Sequence, residues 1–181
     1  EVQYKALAWL LGFASHVVTD VTIHPVVELK TGPYEVNPKG HRVCEMNQDV
    51  FIYEHLNMGE ILGDAFIHSG LSACSAPEDP NKLDPLIVDV WSNMLKQVDK
   101  NHYAESPPAF NKWHSGFHRM LGMAGNGRLI PLARHVIADQ GLVYPEEPDE
   151  TYIRQLRIPS GGHMDYSEIF SKACDNVLRC W

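Results

Sequence analysis

The chain has no Cys-x-x-Cys pair among its 181 residues, so a zinc site built from cysteine alone is not expected. Its four cysteines, Cys44, Cys74, Cys174 and Cys180, are expected to behave as small buried hydrophobes. Cys174 and Cys180 lie six apart on one expected helix and point to different faces, so they should not pair with each other. A disulfide between more distant cysteines stays open, and the redox compartment with it. No apolar run is long enough to read as a membrane span. The stretch 6–14 is apolar but continues into His16 and Asp20, which points to a core helix rather than an anchor. Neither an initiating Met nor a basic segment precedes it, so no secretory leader is expected, and the direct opening in a helical pattern points to a missing upstream segment. Internal repeats and low-complexity tracts are lacking. Positive charge is scarce: 15 Lys and Arg stand against 23 Asp and Glu, for a net charge of -8. Such a surface repels phosphate backbones, and there is no basic stripe with interleaved aromatics, so no stable nucleic-acid partner is expected. A phosphate substrate is not excluded, because bound cations invert the local field.

What is present suits one packed domain over residues 1–181: 44% hydrophobic and 21% charged residues. Leu7, Leu10, Leu11, Ala14, Val17 and Val18 recur at helical spacing, predicting a first helix over 2–23 that Pro25 ends. Asn37-Pro38 and Asp84-Pro85 have the form of N-caps followed by proline at the first helical position. They predict helices from 38 past 53 and from 85 to about 101, the latter with Ile87, Val90, Trp91, Met94 and Val98 on one stripe. More helix is expected around 61–66, from Pro108 with Trp113, Phe117 and Leu121 inward, and over 131–140. Residues 25–39, 75–83 and 144–162 read as loops, the last with a helical turn near Tyr152. Asp165 and Glu168 have capping-box spacing for a last helix to about Arg179. No strand is evident. The expected class is all-α, a compact bundle of five to seven helices.

Two segments carry metal-type chemistry: His16-Val-Val-Thr-Asp20-Val-Thr-Ile-His24 and His41-Arg-Val-Cys-Glu45-Met-Asn-Gln-Asp49. In each, imidazole and carboxylate recur every fourth residue, so they share a helix face. Imidazole nitrogen and carboxylate oxygen are good zinc donors, and a carboxylate such as Asp20 has two oxygens to share between ions. His16, Asp20 and His24 lie on an otherwise apolar helix, where unpartnered ionisable groups would be costly to bury. Asp64 with His68, and His114 with His118, are further pairs at helical spacing. His55, His102, His135 and His163 stand singly and read as structural or exposed; Gly161-Gly162-His163 reads as loop.

This pattern, with the phrase Gly12-Phe-Ala-Ser-His16 and the His24-Pro25 step, resembles the zinc-dependent phospholipase C family and, more distantly, the S1/P1-type nucleases that share its helical fold. The resemblance covers about residues 12–49 and implies that His16, Asp20, His24, His41 and Glu45 are metal ligands. His16 and Asp20 would hold one zinc, Asp20 would bridge, and His24, His41 and Glu45 would hold another, in a centre of two or three ions. Asp49 receives no metal role; it either orients His41 or Arg42 or is surface. The family also draws ligands and an acid proposed as base from upstream, whereas residues 1–15 hold no histidine or aspartate. Either an upstream part is missing or other helices supply those ligands, and the general base is unassigned.

The implied activity is hydrolysis of a phospholipid phosphodiester by metal-activated water, with transient contact at a membrane surface. Secretion or a periplasmic location follows from the resemblance alone, and the oligomeric state stays open. Two other readings compete: an S1/P1-like nuclease, which would need an exposed stacking aromatic beside the metals, and a non-catalytic metal- or lipid-binding module. A di-iron carboxylate bundle is disfavoured, since Glu-x-x-His pairs are missing. Of Trp9, Trp91, Trp113 and Trp181, most are expected in the core.

Overall fold

The computed structural model describes residues 2–56, 65–125 and 144–181. The helices are α1 (Val2–Thr31), α2 (Pro38–His55), α3 (Ala65–Ala73), α4 (Pro85–Val98), α5 (Lys100–Glu105), α6 (Phe110–Gly125) and α7 (Tyr166–Cys180), with a 3-10 turn at Glu150–Tyr152. The fold is all-α, as the sequence indicates. Two short antiparallel ladders were not anticipated. Strand β1 (Ser75–Ala76) pairs with β2 (Asp79–Leu83), and β3 (Leu156–Arg157) with β4 (His163–Met164). The β3–β4 turn places Gly161 and Gly162 at φ of 88° and 86°, a region that only glycine enters freely. The segment predicted helical over 131–140 and the Asp64 position lie outside the described residues.

Helix α1 does not stop before Pro25 but continues to Thr31. An internal proline costs about 3 kcal/mol through its missing N–H and its ring clash. The turns around Pro25 bury Ile23, Val26 and Val27, and three such side chains contribute about 5–9 kcal/mol, enough to carry the helix through. Continuation also overturns the expectation that no stretch reaches span length. The helix is long and apolar enough to cross a membrane by length and composition, and almost none of its most apolar stretch is buried. Nor is the helix before Pro25 buried as a core helix would be: Leu7, Leu10, Val17 and Val21 are all exposed.

By their contacts the described residues form two compact units. The one containing 11–56 and 144–181 has a core of Ile23, Val26 and Val27 from α1, Cys44 and Ile52 from α2, and Tyr166, Ile169 and Ala173 from α7, closed by Ile153 and Leu156. Asn37 joins its first two helices. Its side-chain oxygen caps α2 by accepting from Gly40 N at 3.0 Å, while its amide donates to the Thr31 carbonyl at the end of α1 at 2.9 Å. A Cβ at position 40 would run into that amide, so a larger residue there would displace the Asn37 side chain from its bonds. Helix α7 starts as expected: Asp165 N–H donates to Glu168 at 3.1 Å, while the Asp165 carboxylate takes Arg154 and the Gln155 N–H, both at 2.9 Å.

The unit containing 2–10 and 65–125 packs Leu83, Ile87 and Phe110 against Trp9, Trp91, Val88 and Leu95. Asp84 caps α4 through Leu86 N at 2.9 Å and pairs with Lys5. Helix α4 ends at Val98, earlier than expected, because Asp99 caps a separate helix through His102 N at 2.9 Å. The stripe on α6 is rotated from the expected one. Phe110 and His114 are buried, whereas Trp113 and Phe117 are exposed, and the side chain of Leu121 lies outside the described residues. Asn111 explains part of this, since its side-chain oxygen faces β2 and accepts from Leu83 N at 3.0 Å. Of the tryptophans, Trp9 and Trp91 pack in this core, and Trp113 and Trp181 are exposed.

Candidate metal centre

The four-residue spacing in α1 and α2 sets the donors out along facing turns. On α1, His16 Nε2 lies 3.2 Å from Asp20 Oδ2, and the other Asp20 oxygen lies 3.9 Å from His24 Nε2. On α2, His41 Nε2 lies 3.3 Å from Glu45 Oε1. The helices meet at that same oxygen, with His24 Nε2 3.2 Å from it. His24, His41 and Glu45 therefore converge, their ligand atoms all within 4.8 Å of one another. Asp20 sits between this trio and His16, one oxygen toward each.

The burial is graded. His41 is the anchor, with only 3% of its side chain exposed, whereas His16 is 69% exposed at the outer end. The His41 ring is gripped edge-on by His24 and Tyr34, at centroid separations of 5.3 Å and 5.2 Å. Its Nδ1 is buried without a hydrogen-bond partner among the described residues.

The spacings suit zinc. Ligand bonds of about 2.0–2.1 Å arranged tetrahedrally put neighbouring donors about 3.3 Å apart. The His24–Glu45 and His41–Glu45 separations, 3.2 Å and 3.3 Å, match that edge, as does His16–Asp20 at 3.2 Å. Among the described residues, two imidazoles and one carboxylate are the donors this trio offers to an ion.

Around the trio are groups that local sequence did not reveal. Asp49, one turn beyond Glu45, is exposed, as its surface reading has it, and accepts a hydrogen bond from Tyr144 at 3.3 Å rather than from His41 or Arg42. Loss of solvent around the carboxylate raises the Asp49 pKa, and the Glu45 charge adds to this against the Tyr144 bond. The Tyr144 hydroxyl is pushed up to about 12 by burial and then by Asp49. These residues are 95 apart in sequence, and no spacing could have signalled the pair. Cys44 is fully buried beneath Glu45, as expected of it, but Cys174 and Cys180 are exposed, contrary to expectation; all four thiols are free.

The other histidines divide. His114 and His118 belong to the unit with 65–125, where both meet Ser75. His55, His102 and His163 are exposed, in line with their reading as single, non-site residues; His135, and the side chain of His68, lie outside the described residues.

No curated protein and no solved structure matches the chain. A family model does: that of zinc dependent phospholipase C, over residues 1–101, a span that includes all five proposed donors and more than half of the sequence. The chain belongs to the zinc-dependent phospholipase C family.

Proposed function

We propose that this protein is a zinc-dependent phosphodiester hydrolase acting on phospholipid, with His16, Asp20, His24, His41 and Glu45 as its metal ligands. The observation that carries the proposal is the convergence of His24 and His41, from two helices, on one oxygen of Glu45. Zinc bound there supplies a Lewis acid for the phosphoryl oxygens and, near neutral pH, hydroxide from its water. The chain's own residues do the rest. His41, locked by packing, fixes where the reaction occurs. Asp20 turns one oxygen to the His16 side and the other to the His24 side, so it would be shared if two ions were bound. Asp49, held by Tyr144, adds a carboxylate on the α2 face that no ligand role consumes.

Lipid is favoured over nucleic acid on two grounds. The chain carries a net charge of -8, unfavourable for a polyanion. Val17 and Val21, one turn apart on α1 beside the His16–Asp20 pair, are 42% and 68% exposed, an apolar face suited to transient contact with a bilayer surface. The test compares phosphatidylcholine vesicles with single-stranded DNA as substrates, for the wild type and Glu45→Gln. Release of phosphorylated head group, abolished by chelator and by the substitution, is the expected result. Cleavage of DNA but not lipid would favour the nuclease reading, and zinc retention without turnover on either would favour a binding module.

A further inference from the structure

The unit containing residues 65–125 holds a second convergence of donors. His114 and His118 are one turn apart on α6, and the Nε2 of each points at the hydroxyl of Ser75 in β1, at 3.0 Å and 3.2 Å. Ser75 and His114 are buried, with 9% and 6% exposure. The two rings stand edge to face at 4.7 Å.

Hydrogen accounting shows how this cluster is set. The one Ser75 proton is donated to the Leu71 carbonyl at 3.2 Å, so the Ser75 oxygen has only lone pairs to offer the two rings. Each ring then either turns an Nε2–H toward that oxygen or aims a bare Nε2 at it, and the bare form of both is a pair of imidazole donors converging on one point.

We propose that His114, His118 and Ser75 form a second metal site, for a divalent transition ion of the zinc type, distinct in its residues from the His24–His41–Glu45 centre. Both imidazoles would bind through Nε2, with the Ser75 oxygen or a solvent molecule as third donor. Two histidines one turn apart on a helix are a chelating pair. The separations of 3.0 Å and 3.2 Å to a shared third donor approach the tetrahedral zinc edge of about 3.3 Å. The site rests on its own residues and stands or falls independently of the hydrolase reading.

The test uses the full chain labelled with 15N-histidine, with zinc as the probe. On titration, the resonances of His114 and His118, assigned by their loss in His114→Gln and His118→Gln, should move to metal-bound positions. By elemental analysis the double variant should retain about one zinc fewer per chain than the wild type, with its phospholipid hydrolysis unchanged. Zinc saturation of the wild type with these two resonances unmoved would overturn the proposal, as would equal zinc content in wild type and a folded double variant. If the double variant fails to fold, the wild-type resonances decide alone.

Discussion

Removing the His41 ring tests the metal centre through a quantity independent of turnover: the stability that zinc confers. A ligand that binds only the folded chain stabilises it by RT ln(1 + [L]/Kd), about 4.1 kcal/mol at a thousandfold excess over Kd. Structural zinc binding is worth about 10–16 kcal/mol over four ligands, so losing one donor costs about 3 kcal/mol, or about a hundredfold in Kd. At the same free zinc, His41→Ala then gains only about 1.4 kcal/mol. For a chain of this size each kcal/mol moves Tm by about 2–4 °C. Zinc should therefore raise the wild-type Tm by about 8–16 °C and the variant's by about 3–6 °C. Comparing each protein with itself, with and without zinc, removes the separate cost of the cavity left by a side chain that is 3% exposed. Scanning calorimetry with chelator or buffered zinc supplies the data. Equal zinc-dependent shifts in both proteins would refute the assignment of His41, and a wild type insensitive to zinc would refute the centre.

Two further predictions follow from the surroundings of α2. Asp49 has a raised folded-state pKa, so folding favours its neutral form, and stability falls as pH rises from the ordinary 3.8 through the raised value. In chelator, Asp49→Asn should therefore be more stable than wild type at pH 7, and the difference should vanish below the ordinary carboxylate range; urea denaturation at both pH values measures it, and an unchanged difference would show that Asp49 carries no such burden. Cys44, its thiol pushed up to about 12 by burial and then by the Glu45 charge, should resist a disulfide reagent in the folded protein. At pH 8 about one thiol in ten thousand would be ionised there, against about one in four at an ordinary site, so exposed Cys174 and Cys180 should label quickly and Cys44 only on unfolding. Fast labelling of Cys44 without denaturant would contradict its burial.

The parts of this molecule legible from sequence are those fixed within a few residues. Asn37-Pro38, Asp84-Pro85 and the Asp165–Glu168 box all mark helix starts, because a cap is satisfied by backbone groups two or three residues away. The donor spacing on α1 and α2 was legible for the same reason. What could not be read depends on distant partners. Pro25 reads locally as a stop, because the core that offsets its cost comes from α2 and α7. The rotation of α6 follows from Asn111 bonding β2, and Ser75 joins His114 across 39 residues. Periodicity along α1 located apolar residues but not which of them the rest of the chain would cover; Val26 and Val27, past the proline, are buried, and Val21, before it, is open.

The two-handed grip of Asn37 has a consequence for how such a site is inherited. One amide closes the end of α1 and opens α2, so the connection between the donor-bearing helices has little freedom in length. A residue inserted within 32–36 would have to be looped out or break the clasp, and one inserted between His16 and His24 would swing later donors by about 100° around the axis. The stretch from His16 to Glu45 is thus a cassette that tolerates exchange of side chains but not shifts of frame. Lineages that carry it should vary in length elsewhere, and a designer wishing to move this chemistry to another scaffold should transplant the hairpin whole, clasp included.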